Sequence, residues 1–250
     1  MLGTPVGGWA PSQGVGGDLR PQVYRDERPA EAMDRVHEYA RTHEPGWTYP
    51  AVRVVMGPPA RLLYRLRASG LENVPAEGPM ILAPNHFSNF DHFFVGVRLR
   101  REIRFMAKSQ FFGPGKNRAL DYLFRNAGHF PVRRGYDDQE AFITAASILE
   151  RGGCVGIYAE GGRSRSGELG EPRRGVGRIA LETGAPVVAA AIHGSAEVRG
   201  WRRGHFPQIN VAYGEPLTFP VEPDASRERQ QEAAEEIFDR VRGLYAELGG

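Results

Sequence analysis

The chain has 250 residues, 41% of them apolar, a length and content that suit one α/β domain with a real core. Its 32 Lys and Arg stand against 30 Asp and Glu, so bulk charge gives no reason to expect a nucleic-acid partner. The single cysteine, Cys154, excludes an intrachain disulfide framework and fits a reducing compartment.

Residues 1–30 are rich in Gly and Pro with little periodicity and read as a disordered tail. The N-terminus lacks the basic flank and apolar run of a signal peptide. Residues 31–69 form the next unit, N-terminal helices with possible membrane contact. Met33, Val36 and Tyr39/Ala40 recur at helical spacing within residues 30–43. From Trp47 to Leu66, apolar and aromatic residues interleave with arginine around a breaker, Gly57-Pro58-Pro59. Two readings stand side by side here: a helix lying in a lipid interface, or an ordinary helix packed on the core. No stretch approaches the ~18 apolar residues of a spanning helix, so a soluble or peripheral protein is expected.

Residues 70–250 carry the domain proper. Met80-Ile81-Leu82-Ala83 reads as a buried strand, and Phe93 to Val97 as a helix. Arg98–Arg104 is a basic cluster suited to anionic lipid. Strands are expected at 103–107, 128–134, 155–158, 187–192 and 208–213. Helices are expected within 111–126 and at 139–151, 175–183 and 226–248. The alternation predicts a single α/β domain: a central mixed, largely parallel sheet flanked by helices, plus the N-terminal helical, membrane-facing segment. Cys154, inside an apolar run, reads as a small buried hydrophobe.

Between the first of these strands and its helix lies Asn85-His86-Phe87-Ser88-Asn89-Phe90-Asp91. Five steps along a continuous helix would put His86 and Asp91 on different faces, so the two meet only if the chain turns between them. Ser88 and Asn89 are residues that permit a turn. A histidine held by a carboxylate at a strand's mouth is a general base; alternatively, Ser88-x-x-Asp91 is a helix-capping pattern beside a packed His86.

Three further stretches follow in order: Gly128-x5-Arg134, Glu160-Gly161-Gly162-Arg163-Ser164, and Ala185-Pro186-Val187-Val188. Each is expected at or beside a strand end, where an open α/β sheet collects its functional loops. Together with Asn85-His86-x4-Asp91 they resemble the four motifs of the glycerolipid acyltransferases of the lysophosphatidic acid acyltransferase type. The resemblance covers roughly residues 70–215. It implies acyl transfer from a thioester donor, acyl-CoA or acyl-carrier protein, to a lysophospholipid hydroxyl, with no cofactor and no metal. His86 would be the general base and Asp91 its orienting partner. Arg134, Glu160, Gly161, Arg163 and Ser164 would bind substrate, with the arginines on the acceptor phosphate and Glu160 on glycerol hydroxyls or an arginine. Arg133, Arg165, Arg173 and Arg174 are secondary phosphate candidates. Pro186 would line an acyl pocket or simply the core.

The match departs from the family's usual motif three, Phe-Pro-Glu-Gly-Thr-Arg-Ser, at Tyr158, Ala159 and Gly162, and Arg133 stands where motif two has an acid. The acceptor is therefore more open than the reaction. Another lysolipid, glycerol 3-phosphate or a polyol remains possible as acceptor, as does a peripheral lipid-binding protein that has lost catalysis. A hydrolase finds less support, because no Gly-x-Ser-x-Gly elbow or metal-ligand cluster is present. The expected location is cytoplasmic, on the inner face of the cell membrane, with that membrane surface as a partner and no nucleic acid.

Overall fold

The structure, a computed structural model, describes residues 26, 28–113, 118–133, 138–164 and 167–250. The expected tail lies almost wholly outside the described residues.

Seven strands form one sheet: β1 (Arg67–Ser69), β2 (Met80–Pro84), β3 (Ile103–Lys108), β4 (Phe130–Val132), β5 (Cys154–Gly156), β6 (Val187–His193) and β7 (Asn210–Tyr213). Their order is β1-β7-β6-β2-β5-β3-β4. All pairs are parallel except β6 with β7, so the sheet is mixed and largely parallel, as the alternation of elements predicts. β2 and β5 lie side by side, yet the chain leaves β2 for β3 on one side and leaves β5 for β6 on the other. Divergence of that kind opens a crevice at the carboxyl ends of the two strands.

The strands are buried on both faces, and alternation sends successive residues to opposite cores. Ile81, Ala83, Val187 and Ala189 meet α5 (Gln139–Glu150), α6 (Gly175–Thr183) and α7 (Arg227–Glu247), with Ala40 of α1 (Asp34–Thr42) in the same cluster. Met80, Leu82, Val188 and Ala190 meet α2 (Thr48–Leu62) and α3 (Asp91–Gly96) on the other face. α4 (Arg118–Asn126) packs near the β4 edge, against α1 and α2. Met33 and Val36 are buried as their spacing predicts, and Cys154 is buried, its thiol pushed up to about 11 by desolvation.

Three local expectations are corrected. The chain does not break at Gly57-Pro58-Pro59, because α2 runs straight through them. Each proline lacks the N–H that would reach the carbonyl four residues back. Those carbonyls belong to Val54 and Val55, both on the exposed side, where water can satisfy them. The helix then ends at Leu62, Arg65 takes a left-handed φ of 44°, and Arg67–Ser69 joins the sheet beside β7. Finally, the basic cluster is only partly a surface feature. Arg104 is 2% exposed and donates to the Ala40, His43 and Gly128 carbonyls. Arg101 likewise donates to the carbonyls of Pro75, Gly78 and Gly152.

Candidate active site

β2 delivers the chain to the crevice, and Asn85 fixes its end. The Asn85 side chain donates to the Ile192 carbonyl at 3.0 Å and accepts from the Ile192 N–H at 2.7 Å, extending the pairing with β6 by one side-chain rung. His86 follows. Its Nδ1 lies 2.9 Å from Asp91 Oδ2, and the same oxygen accepts the N–H groups of Phe87 and Ser88, each at 2.7 Å. The turn through Ser88 and Asn89 thus brings the histidine and the carboxylate together. The capping reading is met only in part: the Asp91 oxygen takes the Ser88 N–H, but α3 begins at Asp91 itself, with Phe90 as N-cap and no side-chain cap bond, and the same oxygen also meets the imidazole.

An ionised carboxylate can only accept, so the hydrogen of a neutral His86 ring sits on Nδ1 and the lone pair on Nε2. The ring is 9% exposed at the side chain, stacked on Tyr158 at 3.7 Å between centroids with 12° between planes. Tyr158 stacks in turn on Phe105 at 5.5 Å. Asp91 is fully buried, and its other oxygen, Oδ1, has no hydrogen-bond partner among the described residues. The imidazole is therefore held in plane by stacking and in rotation by the carboxylate.

The loop after β5 grips the backbone on either side of that ring. Glu160 accepts the His86 N–H at 3.0 Å and the Gly170 N–H at 3.1 Å, while the Ser164 N–H donates to the His86 carbonyl at 2.9 Å. Glu160 is 7% exposed, and burial pushes its carboxyl up to about 7, against the pull of the two backbone donors. Among the described residues its partners are these two backbone amides and no arginine. Gly161 has a φ of +64°, and a Cβ there would stand 2.7 Å from the Arg173 side chain, so glycine admits both the turn and the crossing arginine.

The remaining expected site residues divide. Arg163 and Ser164 stand on this loop, within the same crevice wall as His86. Arg134 and Arg165 lie outside the described residues. Arg133 is turned to the N-terminal segment, donating to the carbonyls of Asp26 and Arg28. Arg174 donates to Gln230 of α7, and Arg173 is exposed. Pro186 sits at the amino end of β6, whereas Ala190 further along pairs with Pro84 next to the His86 loop. Motif four therefore begins at the opposite end of the strand from His86; its apolar run supports the core.

Sequence reasoning missed Asn85 as a clamp, Tyr158 as the stacking partner, and an apolar cavity of about 190 Å³ between α2, α3, β3 and α4. Tyr49, Val52, Phe93, Val97, Phe105 and Leu123 line it among others. One of its walls, Phe105, is the ring that backs Tyr158 and so His86. The only written signal was the density of aromatic residues in Phe87–Phe94 and Phe105–Phe130.

A model of the Acyltransferase family matches residues 65–193, just over half of the 250. The chain is 25% identical over 138 residues to the chloroplastic 1-acyl-sn-glycerol-3-phosphate acyltransferase LPAT1 of Arabidopsis thaliana, which is 54% of this chain and 38% of the relative. It is 26% identical over 138 residues to the chloroplastic BAT2 enzyme of the same description from Brassica napus, covering 54% and 39%. The matched part thus spans little more than a third of either relative's length. In fold, the chain is similar to the crystal structure of the 1-acyl-sn-glycerophosphate (LPA) acyltransferase PlsC from Thermotoga maritima. That likeness has a TM-score of 0.54 at 18% identity, over 84% of this chain and 88% of the other. With the family model running from β1 to the end of β6, the chain belongs to the Acyltransferase family, the glycerolipid type that its motifs resemble.

Proposed function

We propose that this protein is an O-acyltransferase that moves a fatty acyl group from a thioester to a lysophospholipid hydroxyl, with 1-acyl-glycerol-3-phosphate as acceptor and phosphatidic acid as product. The observation that carries this reading is the 2.9 Å contact of His86 Nδ1 with Asp91 Oδ2, which leaves Nε2 as the basic nitrogen. An alcohol oxygen is a poor nucleophile until its proton is removed, and a neutral imidazole near pH 7 accepts it. As the proton passes to Nε2, the hydroxyl oxygen bonds to the thioester carbon. The tetrahedral adduct then expels the thiolate, breaking the C–S bond, and the imidazolium returns the proton to sulfur. Asp91 stabilises the imidazolium meanwhile. A thiol pKa near 8.5 makes sulfur a ready leaving group, so no acyl-enzyme is needed.

Arg163, with Arg134, would hold the acceptor phosphate through planar guanidinium contacts. Glu160, Gly161 and Ser164 build the loop that presents Arg163 and steadies His86. The apolar cavity along α3 would take the acyl chain, since its aliphatic and aromatic walls suit a hydrocarbon tail. The outer side of α2 exposes Trp47, Val54, Val55 and Leu62 at 65%, 73%, 67% and 78%. Their spacing makes one apolar stripe, with Arg53 and Arg61 close by, fit for the surface of a membrane. None of the described helices is long and apolar enough to cross a bilayer. Attachment to the inner face of the cell membrane from the cytoplasm accords with the stripe and supplies the lysolipid.

The stripe also favours one second reading, a lipid-binding protein without catalysis. Free-thiol release from a long-chain acyl-CoA, with and without lysophosphatidic acid, separates the two for wild type and His86→Ala. Release that needs both acceptor and His86 is the expected result. Release without acceptor identifies a thioesterase. Silence with every acyl-CoA and acyl-carrier-protein donor, alongside retained lipid binding, leaves the binding protein.

A further inference from the structure

α7 lays a buried stripe, Ala234, Ile237, Phe238 and Val241, against α6 and β6. Tyr245 stands one turn beyond Val241 on the same helix and meets the last residue of β6. Its ring lies 5.5 Å from that of His193, with 60° between planes. His193 follows the Ile192 that Asn85 clamps.

The same ring stands 5.6 Å from that of Phe87, at 62°, and the hydroxyl donates to the Gly167 carbonyl at 3.4 Å. Burial, and after it the Glu160 carboxyl, push the phenol up, so it keeps its hydrogen at pH 7. One half-buried side chain therefore touches three segments that meet at the crevice: the turn after β2, the loop after β5 and the end of β6.

The contact with Phe87 is not core packing. Phe87 is 7% exposed, yet among the described residues neither it nor Tyr245 belongs to the hydrophobic core on either face of the sheet. The Phe87 N–H sits on Asp91 Oδ2, and His86 is the residue before it. Gly167, for its part, shares a loop with Glu160, which holds the His86 N–H. A shift of the Phe87 ring thus carries its own N–H and the neighbouring imidazole with it. Misplacing a reacting group by ~1 Å can cost about a hundredfold in rate. Tyr245 also lies outside residues 65–193, so the matched family segment does not itself supply this contact.

Resting on the acyltransferase reading above, we infer that Tyr245 is a positioning residue for His86: its ring braces the turn that holds the imidazole, and its hydroxyl ties that turn to the loop carrying Glu160.

The test pairs amide hydrogen exchange, read by NMR, with steady-state transfer from a long-chain acyl-CoA to lysophosphatidic acid. Wild type, Tyr245→Ala and Tyr245→Phe are compared. In Tyr245→Ala the Phe87 and Ser88 amides should exchange at least about tenfold faster, while those of Val188 and Ala190 in β6 hold. Its kcat should fall by about tenfold to a hundredfold, with both KM values within about twofold of wild type. Tyr245→Phe keeps both ring contacts and should return exchange and kcat to within about threefold of wild type. Unchanged exchange at Phe87 and Ser88 in Tyr245→Ala overturns the inference, whether or not the protein transfers acyl groups. A loss in Tyr245→Phe as deep as in Tyr245→Ala overturns it too, as does a raised KM with kcat intact. Faster exchange in Tyr245→Ala, with wild type inactive toward every donor, supports the brace and fails the acyltransferase reading alone. Should Tyr245→Ala not fold, Tyr245→Leu removes the aromatic edge while keeping apolar bulk, and the same readings decide.

Discussion

The two faces of the sheet are built to different ends. One is covered by α1, α5, α6 and α7 and is closed. Ala233, Ala234, Ile237, Phe238 and Val241 of α7 are fully buried, and α6 lies so near that a Cβ on Gly177 would stand 2.0 Å from the Gln230 carbonyl oxygen. The other is covered by α2 and α3, with Val198 of the 3-10 segment Ser195–Arg203 packed beside them and α4 lining the apolar cavity, and it turns an apolar stripe to solvent. The first face spends its apolar side chains on packing. The second leaves an open cavity and exposed apolar side chains. The His86–Asp91 pair stands beyond the carboxyl end of β2, between the two faces.

Substitutions can break or sharpen that contrast. The largest effect belongs to His86→Ala, which should lower turnover by roughly two to four orders of magnitude. Its urea-unfolding midpoint should stay close to wild type, because the ring is held at the crevice rather than in either core. A normal rate would remove His86 from the mechanism. On the closed face, Gly177→Ala should cost roughly 2–4 kcal/mol of stability, since the atoms met are backbone of α7 and the helix must shift. Turnover per folded molecule should hold. Unchanged stability would show that the two helices are looser than their packing implies.

Glu160→Gln comes next and reports the link between the faces. An amide accepts one backbone N–H and opposes the other, so the His86 loop loosens, and turnover should fall by roughly tenfold. The raised carboxyl of Glu160 also carries a pH signature. Between about 4.5 and 7 the folded protein binds more protons at Glu160 than the unfolded chain does, so this group's contribution to stability falls as pH rises through that window. The neutral histidines act in the opposite sense across an overlapping window, from about 4 to 6.5 for His92 and about 3 to 6.5 for His129, so the comparison must be made as a difference from the variant. The stability of wild type minus that of Glu160→Gln should fall as pH rises from 4.5 to 7; a difference that stays constant across the window would remove Glu160 as its source. The smallest effect is expected for Val54→Asp with Val55→Asp. These positions touch little of the fold, so stability should change by under about 1 kcal/mol. Sedimentation with anionic phospholipid vesicles should fall several-fold, and undiminished sedimentation would show that the stripe is not the membrane contact.

Much of this was legible in the sequence, for definite physical reasons. Continuous apolar runs such as Val187–Ile192 announce buried parallel strands, and the pairing of a histidine with an aspartate across a turn needs only local chemistry. The polar residues deceived where their partners are remote. Glu160 reads as a ligand-binding acid but holds backbone groups at His86 and Gly170. Arg104 reads as surface charge but bonds carbonyls at Ala40 and His43. Pro58 and Pro59 read as a break, because nothing local says which side of α2 faces solvent. The cavity and its histidines were invisible, since they exist only once α2, α3 and α4 are set around β3.

The oxygen of Asp91 that faces His86 also has two main-chain partners, at Phe87 and Ser88. Main-chain amides belong to whatever residue occupies the position, short of proline. The grip of this carboxylate on the turn therefore does not depend on which side chains stand at 87 and 88, where Phe87 packs edge-on against Tyr245 and Ser88 Oγ accepts the Phe90 N–H. Asp91 has no such latitude.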